Sequence, residues 1–398
     1  MSLPSACWRC RTDMSLALTE EQEFIARTAA DFVAQKSPLS RLRALRDSGD
    51  ELGWSRALYK EMAELGWLGI ATPEELGGAG MGFAELALIM EELGRTLAPE
   101  PLLSCVLLGG QALQLAAQSG GAADRNRAEE WLPKICAGEA IVALAHQEDG
   151  NRYELDECDT SFRVESGGHY ILEGKKIQVL DGHKADAFIV SAENEEGELS
   201  LFWMPADSEN FSTQRQFRVD CRSAAILELK GVRLPPAAML GKPDLGSELL
   251  EQVMLRATTG LCAEMLGGMQ QAFHLTLEHL RSREQFGVLI GSFQALKHRA
   301  ANIFIEIELA RSAVRAAAHA LDTLSGEDPE LAKLVSLAKA RCSEGYLLAA
   351  NEGVQMFGGV GMTDEYDIGL YLKRARAAEL SFGDAAHHRE RWAELSGY

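Results

Sequence analysis

Two clusters in the last third of the chain carry residue types suited to holding a phosphate-bearing ligand. The first is Arg283-Glu-Gln-Phe-Gly287 followed by Ile290-Gly-Ser-Phe-Gln294, with Arg283 at the end of a long helical stretch. A planar, permanently charged guanidinium grips phosphate oxygens through two parallel hydrogen bonds. An arginine at a helix C-terminus is equally favoured by the macrodipole, so for Arg283 alone both readings stand. The second cluster is Gln355-Met-Phe-Gly-Gly-Val-Gly361, where Gly358 and Gly359 either let the backbone approach a phosphate or nucleoside or simply cap a helix. Other spacings carry less. Cys7-Trp-Arg-Cys10 lacks the second pair that a four-ligand zinc site wants. His387 and His388 are adjacent with no carboxylate cluster beside them, so no metal is expected. The glycine-rich segment Pro73 to Gly80 follows no clear strand, which weakens a dinucleotide fingerprint and favours a turn between helices, lining a ligand cleft.

The elements that position these residues fall into three zones. Residues 17–140 are helical in pattern: Thr19 and Gln22 form a capping-box start, and Ile25, Ala29, Phe32 and Val33 recur at spacings of three or four. Residues 141–244 alternate like strands, at Phe162–Glu165, Tyr170–Glu173, Ile177–Leu180, Ala187–Ser191 and Leu199–Met204, between turn signals, and predict an antiparallel barrel or sandwich. Residues 245–398 return to the helical period, with helices at Glu248–Leu280, Phe293–Leu324, Pro329–Phe357 and Asp364–Leu380 in a four-helix bundle. Residues 1–16 read as a leader, disordered or cloning-derived, with Met14 a second start.

Composition bounds the partners. A chain of 398 residues exceeds the ~250–300 at which single cores stop growing. A net charge of −20 argues against nucleic acid and against a polybasic membrane role. The uncharged run Pro101–Ala123 holds three glutamines and two glycine pairs, and reads as a buried helix with a loop after it. Scattered cysteines and no secretory signal fit a cytoplasmic protein.

Taken together, the Arg283 and Gln355 clusters resemble signatures of the acyl-CoA dehydrogenase family, over roughly Thr19 to Tyr398. The resemblance implies an α+β fold of N-terminal helical domain, middle β domain and C-terminal bundle. It also implies FAD as cofactor, with Arg283, Phe286, Gln294, Gln355, Gly358 and Gly359 reaching FAD bound mainly by a neighbouring subunit. Leu172 to Ala185 matches the family's β-domain segment more loosely. Gln178 and Leu180 stand where the family has a Trp and a Thr against the flavin, and His146-Gln147-Glu148 stands for its Thr-Glu-Pro.

The family reaction removes an α proton with a carboxylate while hydride leaves the β carbon. Aligned on the family's C-terminal Glu-Gly-Thr, this chain has Phe382-Gly383-Asp384, and the family's alternative base position falls on Ala257. Neither side chain takes a proton. Glu264, Glu379, Asp384 and His387 remain, with Glu264 the first suspect and Asp384 better suited to a structural bond. The ending resembles the small-subunit type of the family, as in pimeloyl-CoA dehydrogenase. The leading expectation is therefore the base-lacking subunit of a heteromeric, FAD-dependent acyl-CoA dehydrogenase. A self-sufficient homomer with an unusual base and a non-catalytic acyl-CoA-binding or assembly protein are the alternatives.

Overall fold

The structure, a computed structural model, describes residues 17–150, 153–243 and 245–398. The expectations for residues 1–16, including Cys7 and Cys10, lie outside the described residues. The chain opens with α1 (Glu20–Lys36), α2 (Leu39–Ser48), α3 (Arg56–Glu64) and α4 (Phe83–Arg95). The capping box is present: Thr19 Oγ1 accepts from Gln22 N at 3.2 Å and Gln22 Oε1 accepts from Thr19 N at 3.1 Å. A π-helical segment, Leu102–Gly110, runs into α5 (Gln111–Ser119), and α6 (Ala122–Cys136) closes the zone. Leu102–Ser119 is long and apolar enough by composition to cross a membrane, yet most of it is buried inside the molecule.

The glycine-rich segment at Pro73–Gly80 is a folded-back turn, and it lines neither of the cavities described below. Ala79 N donates to Gly69 O and Gly80 N to Thr72 O, both at 2.9 Å. A Cβ at Gly78 would lie 2.0 Å from the Thr72 carbonyl oxygen, so the glycine serves backbone approach, not a ligand.

The middle zone holds β1 (Val142–Ala145), β2 (Ser161–Val164), β3 (Tyr170–Leu180), β4 (Ala187–Glu193), β5 (Leu199–Pro205), β6 (Phe211–Phe217), β7 (Ser223–Leu234) and β8 (Met239–Leu240). They form one sheet in the order β6-β7-β3-β2-β4-β5-β8, with β1 also on β4. It is mostly antiparallel, as the alternation predicts, but β1 and the end of β2 pair with β4 in parallel, making the sheet mixed. Those pairings are non-local, and no period-two pattern encodes them. β4 explains why its sequence reads as an unbroken apolar run: Ala187 and Ile189 face the main core while Phe188 and Val190 face a second core inside the sheet. The two predicted pieces Tyr170–Glu173 and Ile177–Leu180 are one strand, β3. Its register against β7 shifts between Lys176 and Val179, where Gln178 has φ 51°. β1, β6, β7 and β8 are not among the strands expected from the sequence. β6 is Ser/Thr/Gln/Arg-rich and mostly exposed, so it lacks an apolar face to read.

The C-terminal zone contains α7 (Gly246–Ser282), the short hairpin β9 (Glu284–Gln285) and β10 (Val288–Leu289), α8 (Gln294–Thr323), α9 (Pro329–Phe357), α10 (Ile368–Leu380) and α11 (Ala385–Leu395). α7 is buried on most of its circumference, the pattern of a helix central to a core. A fifth helix, α11, joins the four predicted; Asp384 Oδ1 caps it by accepting from Ala386 N and His387 N, each at 3.0 Å.

Gly78→Ala should destabilise the folded protein by ~1–3 kcal/mol, since the added methyl meets backbone that cannot rotate away. Urea unfolding of the two proteins checks it; an unchanged midpoint would count against the close-approach account.

Candidate functional site

β3, the β6–β7 turn and the end of α10 enclose a cleft of about 350 Å3. Its polar wall is made of His146, Gln147, Gln178 and Gln216, with Gln178 N donating to Gln216 Oε1 at 3.3 Å. Gln178 reaches this wall because the bulge in β3 turns the backbone left-handed there. Leu108, Leu144 and Leu180 supply an apolar wall. Around the mouth stand Phe217, 78% exposed, Val219, 61% exposed, and Leu380, 39% exposed. Large apolar side chains left in water beside amide donors and acceptors suit a flat ligand with apolar faces and a polar edge.

Phe382, His146 and Gln147 line this cleft and also a second cavity, of about 50 Å3, which continues to Tyr153, Met254, Thr258, His387 and Arg391. Phe382 thus belongs to the partition between the two. The second cavity has room for a few water molecules. Among the described residues the only carboxylate lining either space is Glu154, which is exposed on the loop before β2. Ala257 is fully buried and offers no proton acceptor.

The turn that presents Phe382 is held from outside the cleft. Phe382 has φ 60° and Gly383 φ 100°. His388 Nε2 donates to Phe382 O at 2.8 Å, while its Nδ1 accepts from Ser336 Oγ at 3.3 Å. Lys339, fully buried, donates to Glu379 O at 2.9 Å, Gly383 O at 2.7 Å and Ser343 Oγ at 3.1 Å. Burial pushes the Lys339 ammonium down to about 8. It pushes His388 to about 3, with Lys339 adding to the effect, so the imidazole is neutral. His146 is likewise neutral, pushed to about 4 by burial and by Lys176.

Glu264 does not serve as a free carboxylate, and it lines neither cavity. Arg222 Nη2 donates to one oxygen at 2.5 Å and Arg374 Nη1 to the other at 2.7 Å. Arg374 Nε also lies 3.0 Å from Asp220 Oδ2, and Arg218 Nε donates to Asp220 Oδ1 at 3.2 Å. Both oxygens are thus committed to guanidinium groups and neither is left to meet a substrate. Glu379 is bonded to Arg376 and Asp384 to the cap of α11. Glu148, in the segment aligned with the family's Thr-Glu-Pro, is a buried partner of Lys176 at 2.5 Å, and Lys176 also donates to Ser191 Oγ at 2.8 Å. Burial would raise the Glu148 carboxyl, but the Lys176 charge together with hydrogen bonds from Lys176, Thr160 and the Asp159 backbone holds it low.

Arg283, Phe286, Gln294, Gln355, Gly358 and Gly359 line neither cavity, and all six are exposed. The structure brings the two motifs together through an aromatic stack. His279, in the last turn of α7, lies 4.1 Å from Phe357 with the rings 13° apart, and Tyr366 packs edge-on to both. Phe286 and Gly287, both left-handed, form the two-residue turn between β9 and β10, which leaves the Phe286 ring 91% exposed. Among the described residues the Arg283 side chain makes no hydrogen bond or ion pair. Lys339 and Arg374 were missed from the sequence, and His388 was weighed there only as a metal ligand. Lys339 carried one usable signal, a lysine in the small-residue run of α9; Arg374 carried none.

Comparison with known proteins gives one consistent result. Residues 19–139 match the model of the acyl-CoA dehydrogenase N-terminal domain, and residues 246–396 that of the acyl-CoA dehydrogenase C-terminal domain. The chain is 31% identical to the acyl-CoA dehydrogenase IpdE2 of Mycobacterium tuberculosis, over 90% of this chain and 92% of that protein. It is 28% identical to the mitochondrial isovaleryl-CoA dehydrogenase of Pongo abelii, over 94% and 88%. Among solved structures it resembles a chain of the ChsE4–ChsE5 complex of Mycobacterium tuberculosis, with TM-score 0.85 and 27% identity over 97% of this chain and all of that one.

Behind the cleft wall, Asp181 is buried and accepts from Ser104 Oγ at 2.6 Å. Burial raises its carboxyl to about 6, the Ser104 bond offsetting only part of the effect. A folded-state pKa above the unfolded one stabilises at low pH and is lost as pH rises. Asp181 should therefore favour the fold below about pH 3.8 and cease to do so above about 6. Asp181→Asn should flatten the stability profile across that window, measured by urea unfolding at a series of pH values; an unaltered slope would rule this out.

Proposed function

The chain belongs to the acyl-CoA dehydrogenase family, and on that premise we propose that it is the base-lacking subunit of a heteromeric, FAD-dependent acyl-CoA dehydrogenase. The observation that carries the reading is Phe382: a phenyl ring stands in the partition between cleft and inner cavity, at the position that the resemblance aligns with the family's carboxylate. FAD is the cofactor of this family. When bound, it supplies the acceptor for the hydride that leaves the β carbon of an acyl-CoA. The matching proton needs a base within hydrogen-bond reach of the α carbon. Phe382 and Ala257 cannot accept a proton, and Glu264 is committed to two arginines.

The cleft's amide wall and apolar lip fit an isoalloxazine ring, with Gln178 and Gln216 as the groups to meet its polar edge. The exposed Arg283, unpaired among the described residues, and the open space beside Gly358 and Gly359 fit the pyrophosphate and adenosine of a FAD held by a neighbouring subunit. Losses concentrate near the reacting end of the cofactor and retentions at its far end, which is what division of labour between two chains requires. That the ChsE4–ChsE5 structure is a complex of two chains supports a heteromeric arrangement here. The small inner cavity favours an acyl group bound by the partner subunit.

The lone chain should oxidise acyl-CoAs at least ~10²–10⁴-fold more slowly than the co-expressed pair, the usual contribution of a general base. A dye-reduction assay over a panel of acyl-CoAs measures it, and full turnover by the lone flavin-loaded chain would refute the subunit reading. In the assembled complex Phe382→Ala should leave turnover nearly intact and cost at most ~3–5 kcal/mol of stability. Arg283→Ala should weaken FAD retention by ~1.5–3 kcal/mol for each charge-assisted hydrogen bond lost. Equilibrium dialysis of flavin decides the latter; unchanged affinity would return Arg283 to a helix-end role.

A further inference from the structure

The 3-10 turn after α9, Gly358–Met362, leaves the space beside its first two glycines open. Gly358 has φ 68°, and no atom lies within 4 Å of a Cβ built at Gly358 or Gly359. Yet the segment is gripped from two sides. On one side the His279–Phe357–Tyr366 stack ties it to the end of α7. On the other, two arginines of α2, more than 300 residues away in sequence, hold its acidic residues. Arg46 Nη1 and Nη2 donate to the two oxygens of Asp364 at 2.9 and 2.7 Å, a fork-to-fork pair. Arg43 Nε donates to Asp367 Oδ1 at 2.8 Å, and its Nη1 lies 3.3 Å from Asp364 Oδ2. The Arg46 hydrogen bonds hold the Asp364 carboxyl down at about 2. Arg46 Nε also donates to Asp47 Oδ1 at 2.7 Å; an isolated exposed ion pair contributes little, but a bidentate pair within a five-residue network is the exception. A mobile glycine loop would have to be ordered each time it met a ligand, and clamping it at both flanks removes that cost.

We propose that Arg43 and Arg46 are positioning residues, whose clasp on Asp364 and Asp367 lets the N-terminal helical zone set how the Gly358-Gly359 backbone is presented to FAD. The role toward FAD rests on the cross-subunit reading above; the clasp as a constraint on the loop does not. Neither arginine touches the cofactor in this account. Because the clasp is electrostatic and partly exposed, high salt should weaken it.

The test is hydrogen–deuterium exchange of the 358–367 amides in the full-length protein with its co-purifying subunits, and FAD release from the same preparations followed by flavin fluorescence. Arg46→Gln should speed loop exchange and FAD release, each roughly fivefold, the factor that accompanies ~1 kcal/mol. Arg46→Lys, which keeps the charge and loses the fork, should recover part of both. High salt should move the parent toward Arg46→Gln and leave Arg46→Gln itself little changed. Unchanged exchange in Arg46→Gln would overturn the clasp. Faster exchange with unaltered FAD release would overturn the positioning role and reduce the contact to a surface tie. A parent preparation that takes up no FAD would sink the subunit reading, and the exchange comparison would still decide whether the clasp constrains the loop.

Discussion

The joint between sheet and bundle depends on the burial of Arg374. Its side chain is 2% exposed, and it meets Glu264 of α7 and Asp220 of the β6–β7 turn at once. A guanidinium removed from water without partners is costly by several kcal/mol, so both carboxylates must be delivered to it. That requirement fixes the 218–222 turn against α7 and α10, and the same turn carries Arg218 and Val219 to the cleft. α10, which bears Arg374, ends where Leu380, Ser381 and Phe382 complete the opposite wall. Two walls from different zones therefore share one anchor. Glu264, the most tempting acid in the sequence, is consumed in making it.

The second constraint is the turn at Phe382 and Gly383. A phenylalanine at φ 60° sits in a region that L-residues avoid, at a cost of ~1–3 kcal/mol. It persists because the carbonyls of both turn residues are captured, one by His388 and one by Lys339. Burying a lysine without a carboxylate is unfavourable unless its donors are met, and here all three are. The turn is thus held by groups outside the cleft, and the side chain it presents has no acid–base chemistry.

The far end of the molecule follows a different rule. Around Arg283 and Gly358 the polar and glycine groups stay exposed, while aromatic and ionic contacts fix their surroundings. Holding such a rim rigid lowers the cost of ordering it against a ligand. In the cleft the amide and imidazole groups are half-buried, and Gln216 Oε1 is paired within this chain.

Much of this could be read from the sequence. Period and capping located the long helices closely; α9 was expected at Pro329–Phe357 and is found there, because a first-turn proline and a terminal glycine act locally. β3 to β5 were legible because alternating or continuous apolar runs record which faces are buried. The absence of acid–base chemistry at Phe382 and Ala257 was fixed by residue type alone, as was the supply of an arginine and paired glycines for a phosphate-bearing ligand. What tertiary structure decided were the pairings. That Glu264 meets two arginines, that Lys339 holds the Phe382 turn, that β1 lies parallel to β4, and that Arg46 reaches Asp364 across 318 positions are all contacts between distant segments. A periodic pattern states which face of an element is buried; it does not state what that face will meet, because the partner is chosen by how whole elements pack.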